Sequence, residues 1–463
     1  MRSKQSVGAQ ANLKRTITLP QALGVAFHQV VGGGVVALMG VAIAMTGSGT
    51  PLAFVIAAVA VIIYSIPIAT LASAMPVVGG RYTYGARVFS PTVGFVAMWF
   101  AVLVTIQLSL MALAGAAYAQ SLWPSLPARP VAFVFMTVFF VANLFGAAFS
   151  SRVGILLGFI MLAAFGLYGV TGLGHVQWTH FSEFTPQGVG GLLSTAALLT
   201  FATTGAVAVS DLGGEMKRPG RDIPVSVVGA TAFAAVLYVL VAIPSIGVLG
   251  PQAAANKTMT AVAEVILSPS GAAFFVIGGA LCAVVGHINS LLLAATKPVL
   301  AAIDDGWLPA GLGAVNKRYG TPHWLLTVLY VVGVAPVLLG FSVEAVAGMA
   351  SIATGPILAI LVAASWRLRT RSPRQYAAAP FKLSRGVHLA CTVTGGVVLV
   401  VQTYLLIGRL TPQANLAFAL WALLGVGVWA LRHKKVRHLA PSAGPRAERR
   451  PADAPVPQAE PPA

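Results

Sequence analysis

Uninterrupted apolar runs of about twenty residues, the length a helix needs to cross roughly 30 Å of hydrocarbon, recur along the whole 463-residue chain. Few folds can absorb them. Hydrophobic residues make up 57% of the sequence and charged residues 9%, with a mean hydropathy of +0.85. A soluble domain of this size could not hide so much apolar surface behind so few charges. The expected fold class is an all-α membrane protein with twelve transmembrane helices. Read between loop signals, the spans fall at 22–46, 52–75, 93–122, 131–149, 153–173, 190–213, 225–248, 271–302, 323–340, 343–366, 387–408 and 414–431. The runs 93–122 and 271–302 are long enough to tilt or continue into water.

The net charge of +18 suggests nucleic acid only until it is placed. With a cytoplasmic N-terminus and alternating spans, only Arg129, Lys257 and Arg409 fall outside, so 26 of the 29 basic residues share one side. That asymmetry is what the positive-inside rule requires of correctly counted spans. The charge therefore serves orientation and contact with anionic lipid, and no nucleic-acid partner is expected. Both termini are expected in the cytoplasm, with the chain in the inner (plasma) membrane. Residues 1–21 read as a basic tail without a cleavable signal, and 432–463 as a basic, disordered tail rich in Pro, Ala and Arg. A short external helix is expected over Met259 to Leu267.

The motifs that are missing narrow the function. No lysine follows a glycine, so a GxxxxGK[ST] phosphate loop cannot be present. The two cysteines, Cys282 and Cys391, lie in apolar spans and form no CxxC pattern. The eight histidines show no metal-ligand spacing, so neither metal nor cofactor is expected. A membrane enzyme would cluster His, Asp, Glu or Ser at one depth, which this chain does not do. A secondary transporter fits better. Two other classes stay open: a channel, which would need a polar-lined path, and a transport-inactive sensor docking partners through its basic tail.

Within the first span, Gly32, Gly33 and Gly34 stand in a row, although each glycine costs about 1 kcal/mol in a helix interior. In hydrocarbon an unwound backbone is tolerated only beside a cavity or other protein. A half-helix that begins there presents free N–H groups able to hold a carboxylate. The alternative is close helix packing through small residues. The sixth span carries a similar weak point, F-A-T-T-G, from Phe201 through Thr203 and Thr204 to Gly205. Spans one and six are where two five-span halves would each begin, and paired interruptions of this kind point to a transporter's midplane site.

The motifs resemble those of the amino acid–polyamine–organocation superfamily of transporters. Q-V-V-G-G-G-V-V at 29–36 is similar to its first-span pattern, and A-M-P-V-V-G-G-R-Y-T-Y-G-A-R at 74–87 to its P-x-x-G-G-x-Y-x-Y signature. F-A-T-T-G followed by G-G-E-M-K-R-P-G-R-D-I-P at 213–224 resembles its sixth span and exit. D-D-G-W-L-P at 304–309 with V-N-K-R-Y-G-T-P at 315–322 resembles the loop after span eight. The resemblance implies a leucine-transporter-like five-plus-five inverted repeat, 22–173 and 190–366, with two extra helices over 387–431. It implies a substrate α-carboxylate on the backbone of Gly32, Gly33 and Gly34. The α-ammonium would meet carbonyls near Val30 or Val31 and near Phe201, Thr203 or Thr204, with Phe201 as a covering aromatic. After Gly205 this chain has Ala206 and Val207 where many relatives carry an aromatic and an acidic residue, which argues against a dicationic substrate. Met161 stands near the point in span five where some relatives place a coupling lysine.

The expected activity is secondary active transport of a small neutral amino acid by alternating access, as symporter with H+ or Na+ or as exchanger. A cationic amino acid or polyamine antiporter of the same fold is the alternative. His28, Gln29, Gln107, His287 and Asn289 are candidate proton or pathway residues, since polar side chains inside spans are rare and costly. Ser109 is a further pathway candidate. Arg81, Asp211 and Glu215 are candidate cytoplasmic gate residues, with Lys217 and Arg218 close to the two acids in sequence. Arg81, Tyr82, Tyr84 and Arg87 are expected to anchor a short interfacial helix, aromatics at the headgroups.

Overall fold

In hydrocarbon every backbone N–H and C=O must find a partner within its own segment, and the apolar runs fold accordingly as helices. The computed structural model describes residues 15–32, 34–145, 150–316 and 318–439. Among these, nine segments are long and apolar enough to cross a membrane, and Ala128–Leu144 and His323–Leu339 are shorter apolar helices. The first segment, Leu19–Ala74, holds 56 residues, about 84 Å as one rod. It is instead divided: α1 (Leu19–Val31), α2 (Gly34–Thr46) and α3 (Thr50–Ala74), with a tight turn at Gly47–Gly49 where Gly47 takes φ +60°.

The helix α4 (Gly80–Val88) follows, and α5 (Pro91–Leu103) starts on a Ser90 cap whose hydroxyl accepts from Val93 N–H. A 3₁₀ turn at Val104–Ile106 joins α5 to α6 (Gln107–Leu122), so the expected span 93–122 runs as one apolar segment, Pro91–Leu122, wound more tightly near its middle. Next come α7 (Ala128–Leu144), α8 (Ser150–Leu173) and α9 (Gly188–Thr204), which passes into a 3₁₀ stretch over Gly205–Asp211. Then follow α10 (Pro219–Gly247), α11 (Pro251–Ala254), α12 (Thr260–Ile266) and α13 (Pro269–Phe274). Here α12 is the short helix expected from the loop sequence. A π-helical stretch, Phe275–Leu281, leads from α13 into α14 (Cys282–Asp304). The chain ends with α15 (His323–Leu339), α16 (Val343–Arg371), α17 (Pro373–Ala377), α18 (Arg385–Ile407) and α19 (Pro412–Leu439).

Two tail boundaries need correction. Arg432 to Leu439 continue α19 rather than beginning a disordered tail, because the apolar run ends in helix-favouring residues without a breaker. Toward the N-terminus, Ile17 pairs with the backbone of Glu215 and Lys217, and Thr18 N–H donates to Gln21 Oε1 at 2.9 Å as α1 begins. Residues 1–14 and 440–463 lie outside the described residues.

The core is built on the two interrupted segments. α1 packs against the 3₁₀ stretch 205–211, and α2 packs against α9, so the segments lie antiparallel and cross at their breaks. α3, α10, α14 and α16 surround them, while α18 and α19 are the least buried of the long helices.

Candidate functional site

Both breaks fall where the glycines stand. α1 ends at Val31 and α2 starts at Gly34, with Gly33 outside the described residues; α9 ends at Thr204, one residue before Gly205. The glycines let the two segments touch. A β-carbon on Gly34 would overlap Ala202, and one on Gly205 would overlap the Gln29 carbonyl. One on Gly32 would fall 2.6 Å from the Ala283 carbonyl. Close approach through small residues and interruption of the helix therefore occur at the same positions.

A cavity of about 60 Å³ lies at this crossing. Of the residues singled out in the sequence, Gln29, Arg81, Gln107, Phe201, Thr204 and Gly205 line it. Val30, Val31, Gly32, Gly34, His28, Thr203, His287 and Asn289 do not. Among the described residues, Arg81 is the one charged side chain on the wall, and no acidic residue lines it. The buried His287 stands behind the wall, its Nδ1 3.2 Å from the His28 carbonyl and its Nε2 3.3 Å from Gln107 Oε1. Thr203 and Thr204 turn their hydroxyls back onto carbonyls of α9, at 3.2 Å and 2.6 Å from Thr200 O, a bond that weakens helix continuity locally. Thr204 also meets the Tyr64 hydroxyl at 2.6 Å. Ser109, expected on the pathway, instead donates to Gly333 O at 2.5 Å and accepts from Val337 N–H at 3.3 Å, tying α6 to α15. Met161 is fully buried on α8.

The carbonyls at the breaks already have a partner. The Tyr238 hydroxyl, buried on α10, donates to Val30 O at 2.6 Å and stands 3.1 Å from Ala202 O. One side chain thus joins both interrupted segments. Tyr238→Phe is expected to lower stability by about 1–2 kcal/mol, the penalty for leaving a buried acceptor unpaired. If the breaks move during transport, the same deletion slows it by about ten-fold. Denaturation midpoints and exchange rates of the purified variant measure both, and unchanged values would show that the hydroxyl holds nothing.

At the end of the bundle where α1 begins, charge pairs close the interior. Asp211, fully buried, accepts from Arg81 N–H at 2.8 Å and from the Arg81 guanidinium, and its carbonyl accepts from Gly79 N–H at 2.9 Å. Glu215 pairs with Lys297 Nζ at 2.5 Å. Neither acid takes Lys217 or Arg218, its near neighbours in sequence; the partners come from α4 and α14. The short helix α4 is present, but Tyr82 and Tyr84 are buried inside the protein rather than exposed as an aromatic rim. For Tyr82 the reason is polar: it donates to Asp305 at 2.7 Å, with Arg87 3.3 Å from the same carboxylate. Burial first, and then the Asp305 charge, raise the Tyr82 hydroxyl above its ordinary range, so it keeps the proton it donates.

The opposite end is more open. Cavities of about 300 Å³ and 390 Å³ there share Val41, Asn256 and Glu344 on their walls. α16 starts beside them and finishes at the charged end, where Arg367 stacks on Phe89. Among the described residues no group of three His, Cys, Asp or Glu could hold a metal ion, and Cys282 and Cys391 are unpaired and half-buried.

Sequence reasoning missed Ser351 and Thr354 on α16 and Gln402 on α18, all on the cavity wall, and it missed Tyr238. Gln402 carried a usable signal, a lone amide inside an apolar run, which in a span marks function or an interior contact.

Comparison with known proteins identifies the family. The amino acid permease family model matches residues 17–431. An uncharacterized transporter of Mycobacterium tuberculosis is 30% identical over 324 residues, covering 67% of this chain and 70% of that protein. The methylthioribose transporter of Bacillus subtilis is 25% identical over 434 residues, covering 88% and 90%. The branched-chain amino acid permease BcaP of the same organism is 25% identical over 455 residues, covering 93% and 95%. A match over nearly the whole length, with its helices interrupted at paired glycine sites, places this chain in the amino acid permease family of the amino acid–polyamine–organocation superfamily, as a multi-pass membrane transporter and not an enzyme.

Proposed function

We propose that this chain carries a small neutral amino acid across the plasma membrane by alternating access, coupled to H+ or Na+ or to exchange. The observation that supports it is the cavity at the crossing of the two interrupted segments, which among the described residues has no acidic side chain on its wall to pair a second positive charge. The substrate's carboxylate is assigned to the amide end of α2, at Gly32–Gly34, where Gly34 begins the helix; the Gly32 N–H is held by the His28 carbonyl, and neither Gly32 nor Gly34 is on the cavity wall. The ammonium lies toward Phe201, Thr204 and Gly205, under the Phe201 ring. The antiparallel crossing of the interrupted segments supports two inverted five-helix repeats, the first through Leu173 and the second through Arg371, with α18 and α19 added to make twelve spans. Both termini lie in the cytoplasm. In that orientation Arg81, Asp211, Glu215 and Lys297 form the cytoplasmic gate, closed in this state while the outer cavities stand open.

Purified protein in liposomes loaded with unlabelled amino acids tests the reading. Saturable counterflow of a labelled small neutral amino acid is expected, with lysine and putrescine competing at least ten-fold less well; imposed H+ and Na+ gradients then identify the coupling. No counterflow with any of the twenty amino acids, or a conductance without saturation, would overturn it. Methylthioribose belongs among the competitors because a relative carries it.

A further inference from the structure

The cavity wall is unevenly satisfied. Gln107 faces His287, and the Thr204 hydroxyl is held by Tyr64 and Thr200. Against these, Gln29 Nε2, Ser351 Oγ, Gln402 Oε1 and Arg81 Nη2 are buried without a hydrogen-bond partner. The four residues are 4%, 2%, 5% and 8% exposed, and all line the same cavity. They come from α1, α16, α18 and α4, so no single helix explains the convergence. Buried polar atoms are almost always paired, so a cluster of exceptions around one cavity marks groups that its occupant, water or substrate, must satisfy.

We infer that this cavity reads a polar side chain: resting on the amino-acid reading above, the substrate class is a neutral amino acid with a short hydroxyl or carboxamide side chain, and Gln402 is a specificity-determining residue. The chemistry follows from the unpaired atoms. Gln402 Oε1 needs a donor, Gln29 Nε2 and Arg81 Nη2 need acceptors, and Ser351 can supply or accept. A hydroxyl or carboxamide offers both roles in a few atoms. An aliphatic side chain offers neither and leaves the whole set unpaired on closure. Sites built to hydrogen-bond a substrate reject the analogue lacking the group far more strongly than apolar sites reject an added methylene. Size agrees. By the measure in which one water takes about 10–15 Å³, about 60 Å³ is room for a few water-sized groups, so a substrate whose ammonium also sits here carries only a short side chain.

Isosteric pairs isolate the effect: threonine against valine, and asparagine against leucine. Their affinities for the full-length purified protein are read from ligand-dependent thermal shifts and from counterflow competition. Threonine and asparagine are expected to bind at least ten-fold more tightly than their isosteres. Gln402→Leu is expected to reduce both ratios to within three-fold of one, and Ser351→Ala to reduce them by several-fold if Gln402→Leu does not fold. Valine and leucine binding at least as tightly as threonine and asparagine would overturn the specificity while leaving amino-acid transport standing. Ratios unchanged in both variants would overturn the role of Gln402. No binding by any amino acid would bring down the parent reading, and this inference with it.

Discussion

Asp211→Ala destabilises the protein by about 3–5 kcal/mol, the scale on which breaking one side of a buried ion pair acts. The carboxylate is fully buried and the Arg81 side chain 10% exposed, so removing the acid strands a guanidinium with little access to water. The Arg81 N–H loses its 2.8 Å acceptor in the same step. The loss belongs to the stranded charge rather than to the attraction itself, and that distinction is measurable. Arg81→Met combined with Asp211→Leu recovers most of the stability, since an apolar pair of similar volume replaces a buried ion pair at little cost. Denaturation midpoints of the four proteins in one detergent form the cycle. Arg87 provides the contrast. Its side chain is 39% exposed and 3.3 Å from Asp305, so Arg87→Ala costs under about 1 kcal/mol. An Asp211→Ala protein as stable as the wild type would mean that Arg81 finds water and that this end is open.

Gly34→Val abolishes transport, by at least 100-fold, in a protein that still inserts. The new β-carbon would occupy the space of the Ala202 β-carbon and of its Cα. A backbone atom cannot turn away as a side-chain tip can, so α2 and α9 must separate where the two breaks meet. Overpacking of this kind costs about 1–3 kcal/mol or more. It falls on the geometry of the cavity, where a displacement of an ångström suffices to lose a bound substrate. Gly396 on α18 has nothing within 4 Å of a β-carbon, so Gly396→Ala leaves both stability and transport close to wild type. Proteoliposome counterflow, normalised to inserted protein, compares the two. Normal transport by Gly34→Val would show that the crossing is not where substrate is held.

Several features were legible because their causes are local. An apolar run long enough to cross hydrocarbon becomes a helix wherever it sits, and a run of glycines, or a glycine next to threonines that bond back to their own helix, marks where such a rod gives way. Short motifs are local too, and their order along the chain carries the resemblance to the family. Ion-pair partners were harder. Asp211 and Glu215 stand within a few residues of Lys217 and Arg218, yet α4 and α14 supply Arg81 and Lys297 instead. Sequence distance says little about which charge a turn will face. The same limit hid Ser109, whose hydroxyl is held by α15, and the burial of Tyr82, which follows from Asp305 223 residues away.

By itself the sequence determined the membrane class, the sites of both interruptions and the family, since span length, glycine's lack of a side chain and motif order are properties of neighbouring residues. Only the tertiary structure decided that Tyr238 takes the Val30 carbonyl, that Gln402 reaches the cavity from α18, and that Gln29 and Ser351 face it unpaired. Those facts depend on which helices are brought side by side, and packing, not local chemistry, chooses a buried polar atom's partner.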